Sequence, residues 1–128
     1  MNILRLGRGP RISQAVIYNG VVYVAGQVAG DKSQDIQNQT RQVLSAIDTV
    51  LKQAGTNKSR LLSAQVFLAH IDDLKGLNEA WEAWIDPANP PARTTVEARL
   101  ADPMLKVEIC VTAAVGEGLQ YVNSDTSF

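Results

Sequence analysis

The 128-residue chain has one cysteine, one histidine and few aromatics, and each scarcity removes a class of chemistry. Cys110 has no second thiol for an internal disulfide and lacks a partner motif, so it reads as a small strand residue. His70, the lone histidine, leaves neither a histidine-rich metal site nor a histidine-pair mechanism. An excess of one charge is missing as well. Twelve basic residues against 13 acidic ones give a net charge of −1, without the basic field that non-specific phosphate-backbone binding requires. No apolar run is long enough to span a bilayer, and no apolar h-region of a secretion signal follows the first few residues. The expectation is a soluble cytoplasmic protein with neither nucleic acid nor membrane as its partner. The length suits one domain and one core, open to completion by partner subunits.

Local signals order the rest of the chain. Ala15–Tyr18 and Val21–Ala25 are β-rich runs around Asn19-Gly20, the pair that best tolerates the positive φ angles of a two-residue hairpin turn. Gly26 ends the second run. From Asp35 to Ala54 apolar residues recur at Ile36, Val43, Leu44, Ile47, Val50, Leu51 and Ala54, which predicts an amphipathic helix stopped by Gly55. Leu61 to Ala69 reads as a strand with Ala64, Val66 and Leu68 on one face. Asp72 is the expected N-cap of a second helix bearing Leu74, Leu77, Trp81, Trp84 and Ile85, ended by Pro87, Pro90 and Pro91. Two final strands, roughly Arg93 to Leu100 and Leu105 to Val115, are linked by the turn-prone Ala101-Asp102-Pro103-Met104. This is an α+β order, with two helices covering one face of a mixed sheet. Residues 1–115 form the expected domain, and 116–128 the expected flexible tail.

In the last strand Leu105, Val107, Ile109, Val111 and Ala113 share the face expected under the helices, while Lys106, Glu108, Cys110 and Thr112 share the other. Arg93, Thr95, Glu97 and Arg99 are expected on that second, semi-polar face. Symmetric pairing about residues 101–104 would set Glu97 opposite Glu108. Such a face suits either a wet subunit interface or plain solvent.

The run Pro91-Ala92-Arg93, then Val96-Glu97, then Lys106-Val107-Glu108-Ile109, resembles the Rid family of reactive-intermediate deaminases, also called YjgF-type proteins, and most closely its YoaB-like members. The resemblance extends over about residues 3 to 115. It implies a chorismate-mutase-like fold and a homotrimer packed around a central barrel, with ligand clefts between subunits. It also implies hydrolysis of 2-imino acids without a cofactor or metal.

Arginine offers a planar fork matched to carboxylate geometry, although a structural salt bridge would use Arg93 equally well. By resemblance, Arg93 holds the substrate carboxylate and the Thr95 backbone N–H assists it, at a position commonly cysteine in the family. Glu108 matches the glutamate implicated in positioning the attacking water, and Gly26 with Gln27 a pair where backbone approaches ligand. Asn78 matches an asparagine near the site. Trp81 and Trp84 read as core anchors. Two positions depart from the family: Ile12 stands where many members have a tyrosine lining the cleft, and Ala25 where a serine is common. The imine deaminase reading thus has a rival, a trimeric binder of small carboxylates such as 2-oxo acids.

Overall fold

The structure is a computed structural model that describes residues 2–115. The expected tail at 116–128 lies outside the described residues. Asn19 and Gly20 adopt φ of 53° and 80°, the left-handed pair a tight hairpin demands, and join β2 (Ala15–Tyr18) to β3 (Val21–Gln27). A short strand, β1 (Leu4–Leu6), pairs antiparallel with β2. It has only three residues, which is too few for alternation to stand out in the sequence.

Helix α1 (Ile36–Gln53) begins where the Asp35 side chain accepts a hydrogen bond from the Asn38 N–H, and it ends at Ala54 before Gly55 at φ 82°. Its apolar stripe of Val43, Leu44, Ile47, Val50 and Leu51 is buried. Strand β4 (Leu61–Leu68) leads into helix α2 (Leu74–Trp84) through a 3-10 turn at Ile71–Asp73. Asp72 is therefore not the N-cap. Asp73 takes that position without a side-chain cap, and the turn is instead held by Glu97, whose Oε1 accepts from the Ile71 N–H at 2.8 Å.

Strands β5 (Ala92–Glu97) and β6 (Val107–Ala114) complete a six-stranded sheet of order β1-β2-β3-β6-β4-β5. The α2 crossover returns β5 parallel to β4, and the segment 98–106 then carries the chain across the end of β4 so that β6 pairs antiparallel with both β3 and β4. The expected β5–β6 pairing is thus replaced by β4 lying between them. Composition explains the placement. Strand β6 is buried on one face and half-buried on the other, as a central strand must be, whereas β5 is polar enough for an edge.

Both helices cover one face. The core joins Leu44, Ile47, Leu51, Leu77 and Trp81 to Val22, Val24, Val66, Val107, Ile109 and Val111 of the sheet. The opposite face carries Val16, Tyr18, Tyr23, Phe67, Gln65, Cys110, Thr112 and Val96 with nothing over it among the described residues. Tyr18, Tyr23 and Val96 are each more than 40% exposed there.

Candidate functional site

The expected site residues fall into two clusters on opposite faces of the sheet. Arg93 is paired in register with Ala64 and Thr95 with Val66, and both partners are buried beneath the helices, so Arg93 and Thr95 belong to the helix-covered face. Glu108 is paired with Phe67 and alternates with the buried Val107 and Ile109, which places it on the open face. The expectation that Arg93, Thr95 and Glu108 share a face is corrected accordingly: the parallel β4–β5 register inverts the parity that a β5–β6 hairpin would have imposed. Glu97 pairs with Leu68 rather than Glu108, and its carboxylate is spent on the 3-10 turn.

The first cluster is built on α2 and β5. The Arg93 Nη2 donates to Asn78 Oδ1 at 2.8 Å, and its Cζ lies 5.2 Å from the centroid of the Trp81 ring. Asn78 and Trp81 are three residues apart on α2, so one helix face supplies both contacts. Burial draws the Arg93 pKa below its ordinary value and the nearby Glu82 opposes that shift. No carboxylate forms an ion pair with Arg93 among the described residues. The Ala98 N–H donates to Leu68 O at 2.8 Å, fixing which backbone groups of β5 turn inward. Alternation then points the Thr95 N–H at the outer edge, where β5 has no partner strand.

The second cluster surrounds a bulge in β3. The β3–β6 register shifts between Val24 and Gln27, and Gly26 sits in that irregularity. A Cβ on Gly26 would overlap Glu108 Oε2 and stand 3.0 Å from its Cδ. The glycine is therefore what lets the Glu108 side chain lie across β3. Beside it, the Gln27 Nε2 donates to Ala25 O at 2.9 Å and to Gln14 Oε1 at 3.2 Å. Gln14 also receives the Ala25 N–H on its carbonyl and donates its own N–H to Leu6 O, which pins the loop 7–14 against the end of β3. Ile12 projects from that loop, 59% exposed. On the same face Cys110 Sγ lies 3.3 Å from Gln65 Oε1, and burial, then the Glu108 charge, push the thiol pKa up.

Trp81 and Gln14 are the participants that sequence reasoning left out. The three-residue spacing of Trp81 from Asn78 was a readable signal, obscured because the same indole is 7% exposed and part of the core. Gln14 carried none, since its contact with Gln27 depends on how the loop folds. An open groove at the carboxyl ends of β4 and β5, lined by His70, Glu97, Arg99 and Asp102, contains none of the expected ligand-binding residues. No helix is long and apolar enough to cross a membrane, and no group of three or more metal-ligating side chains occurs, among the described residues.

Residues 7–115 match the profile of the family described as endoribonuclease L-PSP. A RutC family protein of Haemophilus ducreyi is 50% identical over 113 residues, which cover 88% of this chain and 97% of that protein. The RutC family protein YoaB of Escherichia coli is 42% identical over 115 residues, covering 90% of this chain and all of YoaB. Among solved structures, a YjgF-family protein of Neisseria meningitidis superposes with a TM-score of 0.87 at 37% identity, over 91% of this chain and 98% of that one.

Proposed function

Because the chain belongs to the endoribonuclease L-PSP family, the group that includes the RutC, YjgF and Rid proteins, we propose that it is a 2-imino acid deaminase acting on reactive products of pyridoxal-phosphate enzymes. The observation that carries the proposal is the state of Arg93, a half-buried guanidinium held by Asn78 and Trp81 that forms no ion pair among the described residues, Glu82 being near enough only to be felt as charge. A cation desolvated in this way favours a carboxylate, which its fork can grip through two charge-assisted bonds. The Thr95 N–H on the free edge of β5 is the second donor to that carboxylate.

The rest follows from simple chemistry. Hydrolysis of an imine needs its carboxylate fixed, a water aligned on the imine carbon and a proton moved to nitrogen. Glu108 holds that water. Addition of its oxygen to the carbon gives a carbinolamine, and loss of ammonia then leaves the 2-oxo acid. Gly26 supports the step by allowing the Glu108 side chain to lie where it does.

Arg93 and Glu108 occupy opposite faces of one sheet, so in this reading a cleft takes its arginine from one chain and its glutamate from a neighbour. The uncovered face, with Tyr18, Tyr23 and Val96 exposed beside small polar residues, supports assembly with further copies. The assembly we propose is the homotrimer that the family resemblance implies, in a cytoplasmic protein with residues 1–115 as the working domain and 116–128 as a tail. The test is to generate 2-iminobutanoate and 2-iminopropanoate in situ and follow 2-oxo acid formation with wild-type and Arg93→Ala protein. Acceleration lost in the variant is expected, whereas an unimpaired variant rejects the assignment.

One observation favours a second reading. Ile12 and Ala25 replace a hydroxyl-bearing tyrosine and serine, so the cleft keeps its carboxylate clamp while losing polar contacts. A trimeric binder of 2-oxo acids would show thermal stabilisation by these ligands without ammonia release. The family description also names a ribonuclease, but a net charge of −1 lends no support to RNA as substrate.

A further inference from the structure

We infer that Trp81 is a positioning residue for carboxylate recognition: its indole face holds the Arg93 guanidinium in the plane that the fork needs. The inference rests on the carboxylate-binding role proposed above for Arg93. An arginine side chain has several rotatable bonds, and its guanidinium grips a carboxylate well only if both the direction of the fork and the tilt of its plane are set. Here the two restraints come from two residues. Asn78 Oδ1 accepts from Nη2 at 2.8 Å and fixes a point in the guanidinium plane. Trp81 lies against the group, 5.2 Å from Cζ to ring centroid, inside the range in which a cation is attracted to an indole face. Of the five N–H bonds of a guanidinium, one goes to Asn78 and a cation–π contact consumes none, so four remain for a ligand.

The indole is itself immobilised. Trp81 is 7% exposed and lies within the hydrophobic core, and its ring stands 5.6 Å from that of Trp84 at an interplanar angle of 56°. Trp84 is anchored in turn by its Nε1, which donates to Asp48 Oδ2 at 2.9 Å on α1, and by Lys58, whose Nζ lies 5.3 Å over its ring. A chain of packed groups therefore runs from α1 through two indoles to the guanidinium. A residue that served packing alone would need bulk at position 81; one that orients Arg93 needs an aromatic face.

That difference defines the experiment. Trp81→Phe keeps a π face, while Trp81→Met keeps flexible apolar bulk and removes it. Binding of 2-oxobutanoate by calorimetry should weaken about tenfold in Trp81→Met and by less than about threefold in Trp81→Phe, in line with a desolvated cation–π contact. Should the deaminase assay show turnover, the loss should appear in KM while kcat stays nearly constant. The Arg93 Nε–H resonance of the wild type, assigned through Arg93→Lys, should be displaced by the indole ring current and shielded from exchange, a readout that survives even if Trp81→Met does not fold. An undisplaced resonance, or equal affinities in two folded variants, overturns the inference. If the resonance is displaced but the wild type binds no carboxylate, the functional assignment of Arg93 falls and takes this role with it, while the cation–π contact stands as structure alone.

Discussion

Gly26 and Glu108 claim the same space: a Cβ on residue 26 would overlap the Glu108 carboxylate, so the glutamate lies where it does only while residue 26 is glycine. Neither the sheet hydrogen bonding nor a positive φ demands the glycine. What demands it is a side chain arriving from the neighbouring strand, at the place where the β3–β6 register slips.

Gly26→Ala should consequently act through Glu108. The severe overlap falls on the far end of a flexible side chain, so the stability cost should stay near or below about 1 kcal/mol, while displacement of the carboxylate should lower deaminase turnover. In an Glu108→Ala background the same substitution should be nearly silent. A double-mutant cycle on thermal stability measures the coupling, and additive effects would show that the clash is relieved elsewhere.

Asn78→Asp places a carboxylate against the Arg93 guanidinium. The new ion pair should leave the fold intact and compete with the substrate, weakening 2-oxobutanoate binding by about 10- to 100-fold, the worth of a charge-assisted hydrogen bond. Arg93→Lys should lose comparable affinity because an ammonium cannot reproduce the fork. Calorimetry on the two variants checks both expectations, and retained affinity in Asn78→Asp would argue that the ligand binds elsewhere.

Gln39 is fully buried, and its amide contacts four backbone groups. The two N–H bonds of its Nε2 are shared among the carbonyls of Lys32, Gln34 and Met104, and its Oε1 accepts from the Lys106 N–H at 2.9 Å. The bonds tie the 98–106 crossover to α1, next to the start of β6, and the Lys32–Asp102 ion pair fastens the same loops from outside. Gln39→Leu should cost at least about 2 kcal/mol, since it strands buried donors and acceptors. Denaturant titration would register this as a lower midpoint with an unchanged slope.

The Cys110 thiol should react slowly at ordinary alkaline pH. Burial first, and the Glu108 charge second, disfavour the thiolate, so the folded pKa lies above the usual thiol value and the reactive form appears only at higher pH. A pH–rate profile of iodoacetamide alkylation should show a raised midpoint, which Glu108→Gln moves downward. A midpoint indifferent to Glu108 would mean that the two side chains do not sense one another.

If clefts join Arg93 of one chain to Glu108 of another, inactive Arg93→Ala and Glu108→Ala proteins should complement each other after being unfolded and refolded together. Random assembly restores both wild-type groups in about a quarter of the clefts of such mixed rings. Continued inactivity of the mixture, with mixed trimers shown by native mass spectrometry, would place both groups of each cleft on a single chain.

Local chemistry made much of this protein legible from its residues. Asn19-Gly20 announces the hairpin, the stripe from Val43 to Leu51 announces α1, and the alternation from Val107 to Ala113 tells the buried face of β6 from the open one. Strand order was not legible. Nothing in residues 93–114 states that β4 lies between β5 and β6, because that placement is decided by the α2 crossover and by which strand is apolar enough for the centre of the sheet. The error in pairing carried directly into the site, since it turned Arg93 and Thr95 to the wrong face and set Glu97 beside Glu108. The candidate residues came from a family resemblance; their grouping required the register. Gly26 could be read only as a strand exit until the Glu108 side chain was seen above it.

The β4–β5–β6 arrangement also bears on how such a protein can change. The clamp of Arg93, Asn78 and Trp81 is anchored in the packing of α2, whereas Glu108, Gly26 and the loop bearing Ile12 answer to the β3 bulge on the far side of a single sheet. Within one chain, substitutions that reshape one group meet the other only through shared main chain. Under the proposed function, evolution could hold the grip on a common acid group constant while it varies the surroundings of the reacting carbon, a separation of duties in which positions 12 and 25 could change without any adjustment at Arg93.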